Sequence, residues 1–390
     1  MRKKIAVFGS TGSIGKSTLN IIKKNYKDFK VELLTTNKNA KLLIKQSKIF
    51  DVKNLIIHDY EKFKFYETIL KKRKINLFNT FSAYKKKNKN KFDYTMFSIS
   101  GLEGLEILLN IISSTKDIAI ANKEAIICGW NLIKKKLLKS KTKFYPVDSE
   151  HFSIWSLLDD KKYSNNIEKI YITASGGPFL NLKKKEFKKI KLEDALKHPN
   201  WKMGKKITID SSTLMNKIFE VIEARNIFNI SYKKIKILVH PTSYVHAIVK
   251  FNNGLIKVLI HETSMEVPIF NTIYNDIRIN KNFISNEIDI NKLNNLNFSN
   301  ADHRKFPSQK VLSLLPNNHT LFETVLVAAN DNLVDLFLKK KIGYNDIIRL
   351  LLKIIKLKEF QKYKKKSPNS VEQIVNLSKY VHLKLTSLSV

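Results

Sequence analysis

The feature that most constrains the fold is an alternation of strand-like and helix-like segments that begins at a glycine-rich turn. The apolar run KKIAVFG predicts a buried strand, and STLNIIKKN, just after the turn, predicts a helix. The alternation continues through KVELLTT, AKLLIKQSKIF, NLIIHD, DYTMFSIS, LEGLEILLNII, DIAIAN and KEAIICGWNLIKKKLL. This order is typical of a parallel, doubly wound sheet. We therefore predict an α/β protein with a Rossmann-like domain over residues 1–148.

The pattern changes after Asp148, and 390 residues are too many for one small core. Strand-like EKIYITAS, IKILVHP and HAIVKF lie between loops rich in Gly, Pro, Asn and Ser, which predicts a mixed α+β domain over 149–274. The Asn-rich stretch 275–300 is interpreted as a linker. From residue 301 apolar residues recur at helical spacing, so 301–390 is predicted to be a small helical domain.

The glycine-rich turn has the sequence FGSTGSIGKST, with Gly9, Gly12 and Gly15 between a strand and a helix. Bare backbone and helix amides at this position can hold a pyrophosphate, so the turn predicts a dinucleotide site. The second strand runs into Asn37, Lys38 and Asn39, with no acid to bind a ribose 2′-hydroxyl. A lysine and two amides suit a 2′-phosphate and favour NADP. The alternative is that Lys38 is one more solvated lysine.

A second feature is the pair Asp148 and Glu150 in YPVDSEHFSIW. On an extended backbone the two carboxylates point to one face and repel each other, unless a cation lies between them. Glu220 and Glu223 lie one helical turn apart and could provide a third carboxylate, although spacing does not choose between them. Three carboxylates suit Mg²⁺ or Mn²⁺. The alternative is a polar strand end exposed to water.

Two further groups of residues are typical of phosphate binding. Ser175, followed by two glycines in TASGGPF, offers a hydroxyl and open backbone amides. Ser211, Asn216 and Lys217 supply a hydroxyl, an amide and an ammonium group within seven residues. Together they could hold a phosphate monoester, although each one taken singly could be an ordinary turn or capping residue.

Charge and composition exclude several function classes. The net charge is +37, but the lysines are spread along the chain and there are only six arginines, which argues against a nucleic-acid groove reader. No apolar run approaches a membrane span, and the N-terminus lacks the apolar region of a signal peptide. The single cysteine, Cys128, excludes an internal disulfide and is expected in the core. We expect a cytoplasmic enzyme with a small anionic substrate and neither nucleic acid nor membrane as partner.

Several motifs together resemble the 1-deoxy-D-xylulose 5-phosphate reductoisomerase family. They are GSTGSIGKSTL, ANKEAI, PVDSEH, SGGPF, HPNWKMGKKITIDSSTLMNK, IEAR and HPTSYVHAIV, in the order and at the spacings of that family. The resemblance extends from residue 1 through AAND at 328–331 into the helical tail. It implies that 1-deoxy-D-xylulose 5-phosphate is rearranged and reduced by NADPH to 2-C-methyl-D-erythritol 4-phosphate, in the non-mevalonate isoprenoid pathway. It also implies a divalent metal and a homodimer.

The resemblance assigns roles to individual residues. The metal ligands would be Asp148, Glu150 and Glu220, and the catalytic residues Lys123, Glu150 and His198. The cofactor would be bound by Thr11, Gly12, Ser13, Ile14, Asn37, Lys38, Asn39, Asn122, Glu124 and Gly204. The substrate would be bound by Lys123, Ser149, Glu150, Ser175, His198, Trp201, Ser211, Asn216, Lys217 and Glu220. His198, Trp201 and Met203 would belong to a mobile flap that excludes water.

The implied mechanism is a retro-aldol cleavage and re-addition at a metal-polarised ketone, followed by hydride transfer. Glu150 and Lys123 are candidates for moving the proton, with His198 and His151 as weaker ones. Two positions depart from the usual family pattern: Asn37 replaces a common glycine, and HETSMEVPI at 261–269 replaces GEPDMRTPI. The alternative function is an NADP-dependent dehydrogenase of a small aldehyde or semialdehyde, which would not need the carboxylates and the phosphate site together.

Overall fold

The computed structural model describes residues 2–158, 166–201, 203–275 and 287–388. These residues form two compact units. The first unit contains residues 2–122, 132–148 and 264–275, and the second contains the described residues within 123–131, 149–263 and 287–388. Each unit is described in turn.

The first unit is built on a seven-stranded sheet in which every pair of neighbouring strands is parallel. The strand order is β4-β3-β2-β1-β5-β6-β7. The strands are β1 Lys3–Phe8, β2 Phe29–Thr36, β3 Asn54–Ile57, β4 Asn76–Phe78, β5 Phe92–Phe97, β6 Thr115–Ile120 and β7 Lys143–Pro146. The chain reverses its direction of travel across the sheet beside β1, which is where open α/β sheets bind ligands.

Helices connect these strands because apolar residues recur at helical spacing between them. The helices are α1 Ser13–Lys24, α2 Ala40–Ile49, α3 Tyr60–Lys72, α4 Phe81–Lys87, α5 Gly104–Ile112 and α6 Lys123–Ser140. In α1 the residues Leu19, Ile21 and Ile22 are buried, and the helix begins directly at the glycine turn. A later helix, α11 (Glu266–Ile273), also belongs to this unit and packs on α1.

The second unit contains a five-stranded mixed sheet in the order β11-β10-β8-β9-β12. Its strands are β8 Ile167–Ala174, β9 Ile235–Val239, β10 Val245–Phe251, β11 Ile256–Ile260 and β12 Ser299–Asn300. The strands β8 and β9 are parallel, whereas β10 is antiparallel to both of its neighbours. Ile170, Ile172, Val249 and Phe251 are fully buried and form the core beneath this sheet.

The remaining helices follow in chain order. They are α7 Ser149–Leu158, α8 Leu192–Ala195, α9 Lys205–Ser212, α10 Met215–Phe228, α11 Glu266–Ile273, α12 Ile290–Asn294, α13 Phe322–Leu338, α14 Tyr344–Ile354, α15 Lys358–Gln361 and α16 Val371–Leu388. Short 3-10 helices occur at Lys184–Lys189, Tyr232–Lys234, Pro307–Leu314 and Lys362–Lys365. Among the described residues, no helix combines the length and apolar character needed to cross a membrane.

The predicted fold class is confirmed: an α/β protein with a doubly wound sheet, a mixed α+β region and C-terminal helices. The units differ from the predicted domains because the C-terminal helices lie in the same unit as 149–263, and 264–275 belongs to the first unit. The physical reason is α13, in which Phe322 to Asn330 are all buried, so that this helix needs covering on every side. Residues 276–286 of the predicted linker lie outside the described residues.

The extended backbone predicted for Asp148 to Glu150 is wrong. Ser149 begins α7, and Glu150 lies in the first turn of that helix. A carboxylate is favoured there because the N-terminal end of a helix carries a partial positive charge. The two side chains are therefore brought together by a strand-to-helix turn and not by the pleat of a strand.

Candidate active site

The glycine turn of the first unit is built so that side chains are excluded from it. Gly9 has φ of +81°, and a Cβ there would lie 2.7 Å from Ser98 O. A Cβ on Gly15 would lie 2.4 Å from Gly9 O, so the turn can close only with glycine at this position. Gly12, the residue before α1, is exposed, and α1 has no side-chain cap and no acid in its first turn. Its amides therefore suit an anionic group.

The segments around this turn hold it in place. Ser10 is fully buried, and its Oγ donates to Gln46 Oε1 at 2.8 Å. The hydroxyls of Thr11 and Thr36 are 2.7 Å apart. Ser13 is exposed beside Gly12, and Ile14 is half-buried. The predicted pyrophosphate residues thus form one turn at the end of β1.

The predicted adenosine residues follow β2. Asn37, Lys38 and Asn39 are all exposed. Asn39 caps α2, since its Oδ1 accepts from Leu42 N at 3.3 Å. Lys38 thus projects from the turn between β2 and α2, where a dinucleotide fold binds the adenosine ribose.

Asn122 and Glu124, predicted to bind the cofactor, have structural partners. Asn122 is buried, and its Nδ2 donates to Ile99 O at 2.6 Å and Gly101 O at 2.8 Å, which fixes that loop. Glu124 Oε1 lies 2.7 Å from Lys206 Nζ. Burial raises the pKa of Glu124, but Lys206 outweighs this and leaves the pKa below its usual value. The contacts of Asn122 lie within the first unit, and the pair of Glu124 and Lys206 lies within the second. Both residues therefore support the local fold.

Lys206 was not predicted and is surrounded by three carboxylates. Besides Glu124 it lies 2.9 Å from Asp331 Oδ1 and 3.5 Å from Asp210 Oδ2. The spacing of Lys206 and Asp210, four residues apart on one helix, was the available sequence signal. Gly204, predicted to bind the cofactor, is the exposed residue before this helix, α9.

A buried cluster of charges, the carboxylate cluster, is formed in the second unit by Glu150, Lys217, Glu220, Lys123 and Glu223. Lys217 Nζ contacts Glu150 Oε1 and lies 2.6 Å from Glu220 Oε2. Lys123 Nζ lies 3.0 Å from Glu223 Oε2 and 3.5 Å from Glu220 Oε1. Burial lowers the pKa of Lys217, but the two glutamates outweigh it and raise the pKa above its usual value.

Asp148 is joined to this cluster by its position directly before α7. One carboxylate oxygen each from Asp148, Glu150 and Glu220 lie within 4.8 Å of one another. Among the described residues, the carboxylates of Asp148, Glu150, Glu220 and Glu223 thus lie together with the ammonium groups of Lys123 and Lys217. Such a concentration of oxygen ligands suits a hard divalent cation.

The residues around the cluster orient its carboxylates. Ser149 Oγ donates to Glu150 Oε2 at 2.6 Å, and Asn216 Nδ2 donates to Glu220 Oε1. His151 is fully buried, and its Nε2 donates to the backbone carbonyl of Glu220 at 2.9 Å. His151 therefore ties α7 to α10. Asn216 and Lys217, predicted to hold the phosphate, make their contacts with carboxylates in this structure.

A second group in this unit, the hydroxyl cluster, consists of Ser175, His198 and Ser211. His198 Nε2 lies 3.0 Å from Ser211 Oγ and 3.3 Å from Ser175 Oγ. His198 Nδ1 accepts from the backbone amides of Asn200 and Trp201. Since Nδ1 is an acceptor, the neutral ring carries its proton on Nε2 and donates to the hydroxyls. Burial and the charge of Lys217 lower the pKa of His198 to about 4.

Glycines bring the two serines of the hydroxyl cluster together. Gly177, with φ of +66°, would place a Cβ 3.1 Å from Ser211 O, so only glycine lets the loop after β8 approach α9 this closely. Ser211 lies on α9 and Lys217 on α10, and these two helices pack against each other, so the hydroxyl and carboxylate clusters are neighbours. Trp201 and Met203 are half-buried in the irregular segment that follows His198.

Sequence reasoning missed a pair of stacked histidines in the second unit. The rings of His246 and His261 are 3.7 Å apart between centroids and nearly parallel. His261 begins the unusual segment 261–269, and no local spacing connects it to His246, because the two residues lie at the ends of separate strands. Met265, in the same segment, directly precedes α11 of the first unit.

A dinucleotide-type sheet and a buried carboxylate cluster in one chain are typical of a metal-using, dinucleotide-dependent oxidoreductase. Three family models match the chain: 1-deoxy-D-xylulose 5-phosphate reductoisomerase over residues 5–129, the C-terminal domain of that enzyme over 144–228, and DXP reductoisomerase C-terminal domain over 260–382. The chain belongs to the 1-deoxy-D-xylulose 5-phosphate reductoisomerase family. The predicted family, enzyme class and reaction are thereby confirmed.

Individual relatives match over nearly the whole chain. The 1-deoxy-D-xylulose 5-phosphate reductoisomerase of Pelagibacter ubique (strain HTCC1062) is 59% identical over 390 residues, 100% of both chains. That of Wolbachia pipientis wMel is 38% identical over 385 residues, 96% of this chain and 95% of the relative. The enzyme from Zymomonas mobilis in complex with NADPH is 31% identical, with a TM-score of 0.88 over 100% of this chain and 99% of that chain.

A further solved structure is a DOX-P reductoisomerase in complex with NADPH, fosmidomycin and magnesium. It is 26% identical and has a TM-score of 0.89 over 99% of this chain and 98% of that chain. The likeness therefore covers both units.

Proposed function

We propose that this chain rearranges and reduces 1-deoxy-D-xylulose 5-phosphate with NADPH and a divalent cation, using the carboxylate cluster and the hydroxyl cluster as its substrate site. The observation that carries this assignment is the burial of Glu150, Glu220 and Glu223 close to one another and next to Asp148. Such a concentration of carboxylates is costly unless a cation neutralises it. The cofactors are NADPH and Mg²⁺ or Mn²⁺, as relatives bind NADPH and magnesium.

Asp148, Glu150 and Glu220 are the proposed metal ligands. Their carboxylate oxygens lie within 4.8 Å of one another, and hard oxygen donors are what Mg²⁺ and Mn²⁺ prefer. A bound divalent cation would polarise the ketone oxygen of the substrate and stabilise negative charge on it. Lys217 occupies the space between Glu150 and Glu220, so its ammonium group stands where a cation is favoured. We infer that Lys217 turns from these carboxylates to the substrate when the metal binds.

The hydroxyl cluster is the proposed phosphate site. Ser175 and Ser211 present hydroxyls to one point, and His198 Nε2 donates between them. A neutral donor imidazole can bind phosphate oxygens without carrying its own charge, and the positive charge comes from Lys217. Trp201, held by its backbone bond to His198, would cover the bound substrate and exclude water.

The turn at Gly9 to Gly15 is the proposed pyrophosphate site, with Thr11, Gly12, Ser13 and Ile14 lining it. The exposed amides at the start of α1 have neither a side-chain cap nor an acid to compete with the anion. Lys38, between Asn37 and Asn39, would meet the 2′-phosphate and favour NADPH over NADH. Among the residues predicted to bind the cofactor, Asn122 and Glu124 would act by holding local structure.

Proton movement is assigned to Lys123 or Glu150. Lys123 lies between Glu220 and Glu223, and Glu150 accepts from the hydroxyl of Ser149. Both groups lie in the carboxylate cluster, beside the proposed position of the reacting carbons. His198 is a poorer candidate because its Nδ1 is occupied by two backbone amides.

The experiment is a coupled test of substrate and metal. Purified full-length protein is mixed with NADPH and 1-deoxy-D-xylulose 5-phosphate, with Mg²⁺, with Mn²⁺ or with a chelator, and NADPH absorbance is followed. We expect oxidation that stops with the chelator and returns with added metal. The alternative, an NADP-dependent dehydrogenase of a small aldehyde, would oxidise NADPH with an aldehyde substrate in the presence of the chelator.

We also propose that the chain is a cytoplasmic homodimer whose contact includes β11. This strand lies at one edge of the five-stranded sheet, and Ile256 and Val258 on it are 56% and 43% exposed. An apolar edge strand promotes association unless it is covered. Light scattering on the wild type should give twice the mass of one chain, and Ile256→Lys should lower it. A wild-type monomer would refute the dimer.

A further inference from the structure

A column of four rings crosses the second unit from α7 to the segment that follows His198. Phe152 on α7 lies edge-on to His261, with ring centroids 6.2 Å apart. His261 stacks on His246 at 3.7 Å with an angle of 11° between the rings. Trp201 lies edge-on to His246 at 6.3 Å and 73°. Aromatic rings at these distances and angles attract one another.

Hydrogen bonds orient the two histidines of the column. His246 Nε2 donates to the backbone carbonyl of His261 at 3.2 Å, and His261 Nδ1 donates to Glu262 O at 2.7 Å. Burial lowers the pKa of His261. Its other nitrogen, Nε2, is buried and has no hydrogen-bond partner among the described residues. The ring of His261 therefore acts mainly through packing, while a single bond fixes its orientation.

The far end of the column is connected to the hydroxyl cluster. The backbone amides of Trp201 and Asn200 donate to His198 Nδ1 at 3.0 and 3.2 Å. The opposite nitrogen of the same ring reaches Ser211 and Ser175. A shift of Trp201 would therefore move His198 and change the distance between its Nε2 and the two hydroxyls.

We propose that His261 is a positioning residue for substrate binding: by stacking on His246 it holds Trp201, and through Trp201 it sets the position of His198 in the hydroxyl cluster. The role in substrate binding rests on the proposed phosphate site, whereas the role in holding Trp201 does not. The ring of His261 carries this role, because ring contacts connect His261 through His246 to Trp201.

Two substitutions separate the ring from its hydrogen bond. His261→Phe keeps a flat ring for stacking but loses the donor to Glu262 O, whereas His261→Asn keeps a donor of similar reach and loses the ring. Without substrate, we expect amide hydrogen exchange of Asn200 and Trp201 to be about two- to tenfold faster in His261→Asn and near wild type in His261→Phe. The KM for 1-deoxy-D-xylulose 5-phosphate should rise in His261→Asn by a similar factor, with kcat little changed.

His382→Ala is the matched control, because it removes an imidazole of the same unit whose ring, among the described residues, bonds to Asn332 in α13. It should leave the exchange of Asn200 and Trp201 unchanged. Equal exchange in the wild type and His261→Asn, or faster exchange in His261→Phe alone, would overturn the proposal. Faster exchange in His261→Asn without any change in KM would leave the positioning of Trp201 standing and count against the proposed phosphate site.

Discussion

The glycine turn of the first unit, the proposed pyrophosphate site, and the carboxylate cluster of the second, the proposed metal site, are built in opposite ways. At the turn, Gly9 and Gly15 have no room for a Cβ, and the exposed backbone would bind the anion. At the carboxylate cluster, charged side chains fill a buried space and balance one another through Lys123 and Lys217. A site made of backbone is sensitive to added atoms, whereas a site made of balanced charges is sensitive to a change in one charge.

The largest effect is expected in the carboxylate cluster. Glu220→Gln removes one carboxylate that faces both lysines and the proposed metal, and an amide is a weaker ligand for a hard cation. Mutation of a residue that only supports a metal ligand typically lowers activity about 10- to 100-fold. Loss of a ligand itself should have a larger effect, so we expect turnover to fall by more than about 100-fold. NADPH affinity, measured by fluorescence titration, should stay near wild type. Turnover near that of the wild type would remove Glu220 from the metal site.

The second prediction concerns the glycine turn, where the substitution adds atoms and does not remove a charge. Gly15→Ala adds a single methyl group, 2.4 Å from Gly9 O and 2.5 Å from the Cα of Ser10. Overpacking of this kind costs about 1–3 kcal/mol, which we expect as weaker NADPH binding and a lower free energy of unfolding. Gly204→Ala is the control for unfolding, since a Cβ there meets no atom within 4 Å. If both variants unfold alike, the close approach at Gly15 is not what requires glycine.

These two regions also differ in how far sequence predicts them. The glycine turn is local: strand, turn and helix follow one another within residues 3–24, so spacing alone identifies it. The carboxylate cluster combines Lys123, Glu150 and Glu220 from three helices. Spacing pointed to Glu150, but only the resemblance to a family selected Lys123 and chose Glu220 over Glu223. Residue spacing could not choose Glu220 over Glu223, because both are buried on α10 and both pair with Lys123.

The places where prediction failed have a common cause. The start of α7 at Ser149 was interpreted as extended because two carboxylates and a serine carry no strong helical pattern, while burial of Ser149 to Ile154 favours the helix. The contacts of Lys217 with Glu150 and Glu220, and of His261 with His246, join residues distant in sequence. Such contacts depend on packing between elements, which composition and periodicity do not encode.

The third prediction concerns the hydroxyl cluster, which consists of neutral groups, unlike the charged carboxylate cluster beside it. Ser211→Ala removes one hydroxyl that faces His198 at 3.0 Å. A neutral hydrogen bond contributes about 0.5–1.5 kcal/mol, so the KM for the phosphorylated substrate should rise about three- to tenfold with a smaller change in kcat. Ser313→Ala, at an exposed hydroxyl that donates to the carbonyl of Lys310, is the control. An unchanged KM for Ser211→Ala would exclude Ser211 from phosphate binding.

The smallest effect is expected at Lys38, where a side chain adds selectivity to a site made of backbone. Lys38 is exposed between β2 and α2, so its charge is screened by solvent and salt. Lys38→Asp replaces attraction to a 2′-phosphate by repulsion and supplies an acceptor for the free ribose hydroxyl of NADH. Because exposed ion pairs contribute about 0.2–1 kcal/mol, the ratio of kcat/KM for NADPH to that for NADH should fall about two- to fivefold at fixed salt. Lys41→Asp, one turn into α2, is the control for a general change of surface charge. Equal ratios in the two variants would mean that Lys38 has no special contact with the cofactor, and that the backbone of the turn, with Asn37 and Asn39, carries the preference.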